Sequence, residues 1–295
     1  MFVQSAGLRA LGAAYKGRMG LIAVSGASGR LGGRVARRLA GAGIAQRLVV
    51  RDPGRAPRLP GATVERAEYG DPAALRRALQ GAGTVLMVSA SETPDRVDRH
   101  RVFVDAAVAA GVRHIVYTSF VGAAPDAVFT LARDHWATEE LIRASGLEFT
   151  FLRDSLYADF LPFMVSDDGV IRGPARDGRA AVVAQDDIAD AAVAVLRAPF
   201  AHARCTYDLT GPEALSFAEI AAIMTAVTGR PVTYYDEALD EAYASRAPYG
   251  APDWQLDAWV STYTSVAAGE LSTVSPAVEQ LTGRPATSLA RLLAG

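Results

Sequence analysis

The chain has 295 residues, 50% of them hydrophobic and 21% charged, enough to bury a full core in one large domain or two small ones. A formal net charge of -2 with scattered basic residues offers no cationic face to a phosphate backbone, so nucleic acid is disfavoured as a partner. The single cysteine, Cys205, excludes an internal disulfide and a cysteine metal cluster, and the histidines (His100, His114, His135, His202) show no ligand spacing, so no metal site is expected.

Residues 1–18, MFVQSAGLRALGAAYKGR, carry Arg9, Lys16 and Arg18 without an acid. They lack a continuous apolar stretch of signal-peptide length and read as a disordered extension or an upstream start rather than an address. No run of about eighteen apolar residues occurs, so no membrane partner is expected, and the lone cysteine fits a reducing, cytoplasmic setting.

From residue 19 to 153, short β-branched runs alternate with amphipathic stretches, the signature of βαβ units. The fold class is therefore α/β, a Rossmann-type doubly wound parallel sheet with a smaller, mainly helical C-terminal substrate region. Strands are predicted at 21–25, 47–50, 62–69, 84–89, 114–119 and 149–153. A helix with Leu31, Val35 and Leu39 on one face follows the first strand, and Asp71 caps another with Pro72 at its first position. Two more are predicted, one through Val104, Ala107 and Val108 that ends at Gly111, and one carrying HWATEELIRAS. After Arg153 the alternation fades. Residues 154–295 are assigned to the substrate region, with AAVVA (180–184) as a strand, DDIADAAVAVL (186–196) as a helix and TYDLTG (206–211) returning to the main body. The rest is mainly helical from about Ser216.

The first strand runs straight into VSGASGRLGG, with Gly26, Gly29 and Gly32 before a helix. That context makes the spacing a dinucleotide cradle, since glycine lets a pyrophosphate approach the backbone and the helix start offers unpaired N–H groups. Arg51 closes the second strand where an acid would serve NAD, so NADP(H) is the expected cofactor. Arg30 is expected at the same 2′-phosphate, and Asp52 is the competing ribose ligand or an ordinary turn start. Asp71 is a cap first and an adenine contact second. Ser119, at the carboxyl end of the fifth strand, is a candidate catalytic residue or a strand-end hydrogen bond. Tyr157, Phe160 and Phe163 form a wall for a flat ring or belong to the core, with Tyr157 favoured for the site. His100, between Arg99 and Arg101, reads as structural or solvated. The Tyr-x-x-x-Lys dyad of short-chain dehydrogenases is excluded, because the only lysine is Lys16.

The segments GASGRLGG, Arg51, YGDPAALRRALQG, SASE, RH at 99–100, AGVRHIVYTS, DHWATEELIRASGLEFTFLRDSLY, DDIAD and YDLTGPEALSFAEIA resemble, in order and spacing, the NmrA-like atypical short-chain dehydrogenase/reductase family, in particular its bacterial type 2 NAD(P)H:quinone oxidoreductase group. The resemblance implies an NADP(H)-binding Rossmann domain with substrate in the cleft it shares with the C-terminal region. It implies that Gly26, Ala27, Ser28, Gly29, Arg30 and Leu31 hold the pyrophosphate, with Gly32 the third glycine of the same cofactor-binding loop. Arg51 would take the 2′-phosphate, and Ser89, Ala90 and Ser91 would pass beside adenosine and ribose. His135 falls where related reductases carry a lysine, so it is a candidate to position the nicotinamide ribose or to protonate a reduced quinone; the alternative is a helix histidine bonded to a carboxylate such as Glu139. Asp154 departs from the asparagine usual in the quinone reductase group and would add a charge beside the cleft.

The expected function is an NADPH-dependent oxidoreductase that passes a hydride to a small quinone or related conjugated carbonyl, without flavin or metal. The competing reading is a non-catalytic NADP(H)-sensing regulator, and a third is an isomerase or dehydratase that retains its cofactor. The expected partner is a small quinone-like molecule, and a homodimer is left open.

Overall fold

A computed structural model describes residues 20–295, and the extension expected at 1–18 lies outside the described residues. The centre is a seven-stranded, all-parallel sheet in the order β3-β2-β1-β4-β5-β6-β9. Its strands are β1 (Leu21–Ser25), β2 (Gln46–Val50), β3 (Ala62–Arg66), β4 (Ala82–Met87), β5 (His114–Phe120), β6 (Glu148–Asp154) and β9 (Cys205–Leu209). The inner strands are apolar on both faces because helices cover both, which is why they read as continuous hydrophobic runs. The edge strand β3 is largely exposed. The order reverses between β1 and β4, which opens a crevice at the carboxyl ends of these two strands, where ligands bind in such sheets.

One face is covered by α1 (Arg30–Gly41), α5 (Gln185–Arg197) and α9 (Ala277–Thr282). Leu31, Val35 and Leu39 of α1 are buried there, against Ile188, Ala192 and Val195 of α5. On the outer side of that layer Arg34 and Arg38 reach Asp186 and Asp190 of α5 at 2.5–3.1 Å. These half-exposed pairs are each worth only about 0–1 kcal/mol, so the apolar faces hold the helices together. The opposite face carries α2 (Pro72–Leu79), α3 (Arg96–Ala109) and α4 (Thr130–Ala144).

The chain past β6 runs through a 3-10 segment, Ala158–Met164, and two small sheets pairing β7 (Val170–Gly173) with β11 (Thr233–Asp236) and β8 (Arg179–Ala180) with β10 (Leu215–Ser216). It completes the C-terminal region with α6 (Phe217–Thr228), α7 (Leu239–Arg246), α8 (Asp253–Ala267) and α10 (Leu289–Ala294). A separate core of Leu161, Ile171, Phe217, Ile220, Tyr263 and Val266 holds these parts. Ser216 starts α6 with a reciprocal capping box to Glu219.

One strand expectation is corrected. AAVVA at 180–184 is not a five-residue strand: pairing covers Arg179–Ala180, and beyond it Val183 makes a single bridge to Tyr157. The segment is apolar because it threads between two cores, with Val182 in one and Val183 in the other. By contrast α5 and β9 do lie in the main layer, and α9 joins them, which no sequence pattern signalled. No described helix is long and apolar enough to cross a membrane.

Candidate active site

The glycine turn sits at the crevice. Gly26 takes a left-handed φ of +62°, and its carbonyl accepts from the Gly29 N–H at 2.8 Å, closing the turn at the head of α1. No side chain caps that helix and no acid lies in its first turn. The orphan N–H groups and the positive dipole end are thus left for an anion, and this open cradle fits the pyrophosphate of a dinucleotide. Gly32 lies one turn along, where a Cβ would come within 2.4 Å of the Gly26 carbonyl oxygen.

From this turn a cavity of about 310 Å³ runs toward β2, lined by Gly26, Ser28, Gly29, Arg51, Arg55, Tyr69 and Ser89–Ser91. Arg51 is exposed and makes no ion pair among the described residues. Asp52 is committed elsewhere: its carboxylate accepts the Gly54 N–H at 2.9 Å and caps the 3-10 turn that follows. Two sequence expectations change here. Arg30 does not accompany Arg51, because its guanidinium lies over the rings of Phe160 and Phe163, 5.2 and 5.1 Å from their centroids; Arg55 is the second cation at the Arg51 end. Asp71 is exposed, accepts the Ala74 N–H at 2.9 Å as a helix cap, and lines neither cavity.

The wall formed by Val88, Ser89, Ala90 and Ser91 is shared with a second cavity of about 580 Å³, so the two adjoin there as the halves of a trough. This half is lined by Arg30, Leu31, Arg96, Ser119, His135, Ser155, Tyr157, Phe160 and further apolar side chains from Phe120, Phe129 and Leu161. Phe163 stands outside at the rim, well exposed. Ala27 and Gly32 are buried within the turn itself.

His135 lines this cavity, but both its ring nitrogens are committed. Arg96 Nη2 lies 2.9 Å from Nε2, and the Tyr117 hydroxyl lies 3.0 Å from Nδ1. A guanidinium can only donate, so Nε2 accepts and Nδ1 carries the proton that meets Tyr117. Burial, with the Arg96 charge adding to it, holds the imidazole well below its ordinary range. His135 is thus a neutral positioning group with no proton to spare, which corrects the proton-donor expectation, and its partners are not the Glu139 carboxylate of the alternative reading. Arg96 is 4% exposed, and its Nε also donates to the Ala90 carbonyl at 3.0 Å. Its carboxylate partner, Asp134, is at 3.4 Å. His100, one turn further on α3, accepts the Ala90 N–H through Nε2 at 2.9 Å and meets the Thr138 hydroxyl through Nδ1 at 2.8 Å. Arg96 and His100 together fix both sides of the Ala90 peptide. The sequence reading missed Arg96 altogether. The signal it offered was a cation at the first position of a helix, where the dipole disfavours one.

Asp154 ends β6, and Ser119 is the last residue but one of the adjacent β5. The Ser119 hydroxyl donates to Glu139 Oε1 at 2.6 Å, so its proton is spent on a buried carboxylate rather than offered to the cavity. Arg153 clamps the same carboxylate bidentately at 2.8 and 2.7 Å. Asp154 is 1% exposed; the Tyr157 hydroxyl donates to its Oδ2 at 2.8 Å, and its Oδ1 has no partner among the described residues. Burial pushes this carboxyl up to about 8, so at neutral pH it is an acid, not the charge expected beside the cleft.

Residues 18–252 match the NmrA-like family. Quinone oxidoreductase 2 of Escherichia coli is 35% identical over 92% of this chain and 96% of its own length, and the NAD(P)H azoreductase of Xenophilus azovorans is 32% identical over 92% and 96%. The crystal structure of the E. coli quinone oxidoreductase complexed with NADPH superposes with a TM-score of 0.85, at 33% identity over 93% of this chain and 99% of that one.

Proposed function

The chain belongs to the NmrA-like family, and from that footing we propose that it is an NADPH-dependent reductase that passes a hydride to a small quinone or a related conjugated acceptor. The observation that carries the reading is the shared Val88–Ser91 wall. A dinucleotide held by Gly26, Gly29 and Arg51 would have the half lined by His135, Tyr157 and aromatic rings beside it along that wall. The relatives support the chemistry, since one is a quinone oxidoreductase and another an azoreductase, both reducing conjugated groups. A sensor without turnover has less in its favour for the same reason. The proposal includes a small-molecule partner and a cytoplasmic setting.

Bound NADPH would supply the hydride. The protein's part is to orient and to shield. Arg96 and His100 hold Ala90, in the segment that follows β4, His135 is locked as a neutral ring in the cavity wall, and Phe120, Phe129 and Leu161 would exclude water from the transfer. A quinone is already electron-poor, so it needs no tyrosine-lysine dyad to accept a hydride.

Purified protein given NADPH and simple quinones should consume NADPH, followed by loss of absorbance; tight binding without consumption would return the sensor reading. Arg51→Ala should lower the preference for NADPH over NADH by about tenfold to a hundredfold, the worth of charge-assisted bonds to a phosphate of about 1.5–3 kcal/mol. Equal loss with both cofactors would remove Arg51 from 2′-phosphate recognition.

A further inference from the structure

We propose that Asp154 is the proton reservoir for Tyr157, and that the two side chains form a relay which protonates the oxyanion left on the substrate by hydride addition. The inference rests on the reductase reading above. Its geometry is a buried carboxyl with one partner, and that partner is a phenol lining the substrate half of the trough. Oδ1 has neither a hydrogen bond nor water access, so an ionised carboxylate here would leave half its charge uncompensated, whereas a carboxylic acid does not. Asp154 comes to be buried because β6 is an inner strand, flanked in register by Phe120 of β5 and Leu209 of β9.

The charged groups around the pair are accounted for. On β6, Arg153 turns away to Glu139 of α4, with Asp208 of β9 beyond it. From the 3-10 segment, Asp159 is engaged by Arg34 and by the Gln185 N–H at the start of α5. Tyr117 on β5 and Arg96 on α3 act on Tyr157 at longer range, the first raising and the second lowering its phenol, while burial dominates and keeps that phenol protonated. No described cation pairs with Asp154. The carboxyl therefore answers mainly to its own burial and stays protonated to about pH 8.

The Tyr157 hydroxyl donates to Asp154 Oδ2 in the structure; with the proton on Oδ2 the relay needs this bond reversed, Oδ2–H donating to the Tyr157 oxygen and the phenolic proton turned to the cavity. The Tyr157 O–H bond breaks as the new O–H bond forms on the substrate. The Asp154 Oδ2–H bond then breaks to restore the phenol. Asp154 is left as a carboxylate and, having no water access of its own, recovers one proton back through the Tyr157 hydroxyl from water that enters the cavity once product has left. The relay moves protons only, and the electron pair travels with the hydride.

Three measurements test this. In the cofactor-free protein, an infrared carboxylic-acid band should persist at neutral pH, vanish with a midpoint near 8, and be absent in Asp154→Asn. Loss of the band below about pH 5, the ordinary carboxylate range, would overturn the proposal. The sign of the linked stability is fixed as well: the folded chain keeps a proton that the unfolded chain releases near pH 4, so thermal stability should fall as pH rises from about 4 to 8, and Asp154→Asn should remove that fall. With NADPH and a quinone, wild-type turnover should drop above about pH 8, while Asp154→Asn should turn over about a hundredfold more slowly at pH 7 with a flat profile, as should Tyr157→Phe. A variant that keeps the wild-type alkaline fall sinks the relay alone; a wild-type protein that consumes no NADPH with any quinone sinks the reductase reading, and the infrared and thermal results still decide the state of Asp154.

Discussion

Gly32→Ala is expected to lose dinucleotide binding in a protein that still folds. The added methyl would lie 2.4 Å from the Gly26 carbonyl oxygen, 2.7 Å from its carbon and 2.9 Å from the Ser25 carbonyl oxygen. All three are backbone atoms of the turn that forms the cradle, so no flexible side chain can yield. Either α1 moves away from β1 or the Gly26 turn opens, and the second is resisted by the Gly29 N–H bond and by the left-handed φ of Gly26. Overpacking of this kind costs about 1–3 kcal/mol, visible in urea unfolding. NADP(H) affinity should fall at least about tenfold, because every 1.4 kcal/mol of displaced N–H geometry is a factor of ten. Gly41→Ala supplies the control: it lies in the same helix with nothing within 4 Å, and should bind normally. Wild-type affinity in Gly32→Ala would show that the anion is not held by this turn.

The cradle was legible because its cause is local. A buried strand, three glycines and an amphipathic helix are written consecutively, and β1 to β6 follow the same period-two and period-3.6 logic to within a few residues. What was not legible depended on which side chains meet across the sheet. Arg30 sits inside the glycine loop and reads as a phosphate ligand, but two phenylalanine faces from a segment 130 residues later take its guanidinium. His135 reads as a proton donor or ribose-positioning group, with Glu139 as the alternative partner by helical spacing, yet Glu139 turns to the ends of β5 and β6 and both imidazole nitrogens go to Arg96 and Tyr117. Asp154 could be seen as a departure from asparagine, but whether it brings a charge or a proton is decided by Phe120, Leu209 and Tyr157 together. Composition cannot state that outcome. AAVVA failed as a strand for a related reason: its apolar residues feed two cores in turn, so its hydrophobicity reflects packing from two sides without a ladder.

Glu139→Ala should produce the largest loss of stability, and activity should fall with it. The side chain is fully buried, and its two oxygens accept from Ser119, Arg143 and both nitrogens of the Arg153 fork, at 2.6–3.0 Å. Removing one partner of a buried pair costs about 3–5 kcal/mol, because the charge left behind has lost its compensation. Arg153 keeps 22% of its side chain in contact with solvent, which places the expected loss toward the lower end, about 3 kcal/mol. Against a total of about 5–15 kcal/mol that is a large share, and urea midpoints at constant m would measure it. The functional consequence follows from position: Ser119 and Arg153 are paired in register one residue before the ends of β5 and β6, so this single carboxylate ties α4 to the two strand ends beside the trough. Freed of it, Asp154 and Tyr157 should lose their fixed register, and turnover should drop by more than unfolding accounts for at temperatures where the variant is still folded. Glu139→Gln keeps the shape and some of the acceptors and should recover part of both losses. If Glu139→Ala unfolds within about 0.5 kcal/mol of wild type, the clamp is a surface ornament and the register of β5 and β6 is held by the sheet alone.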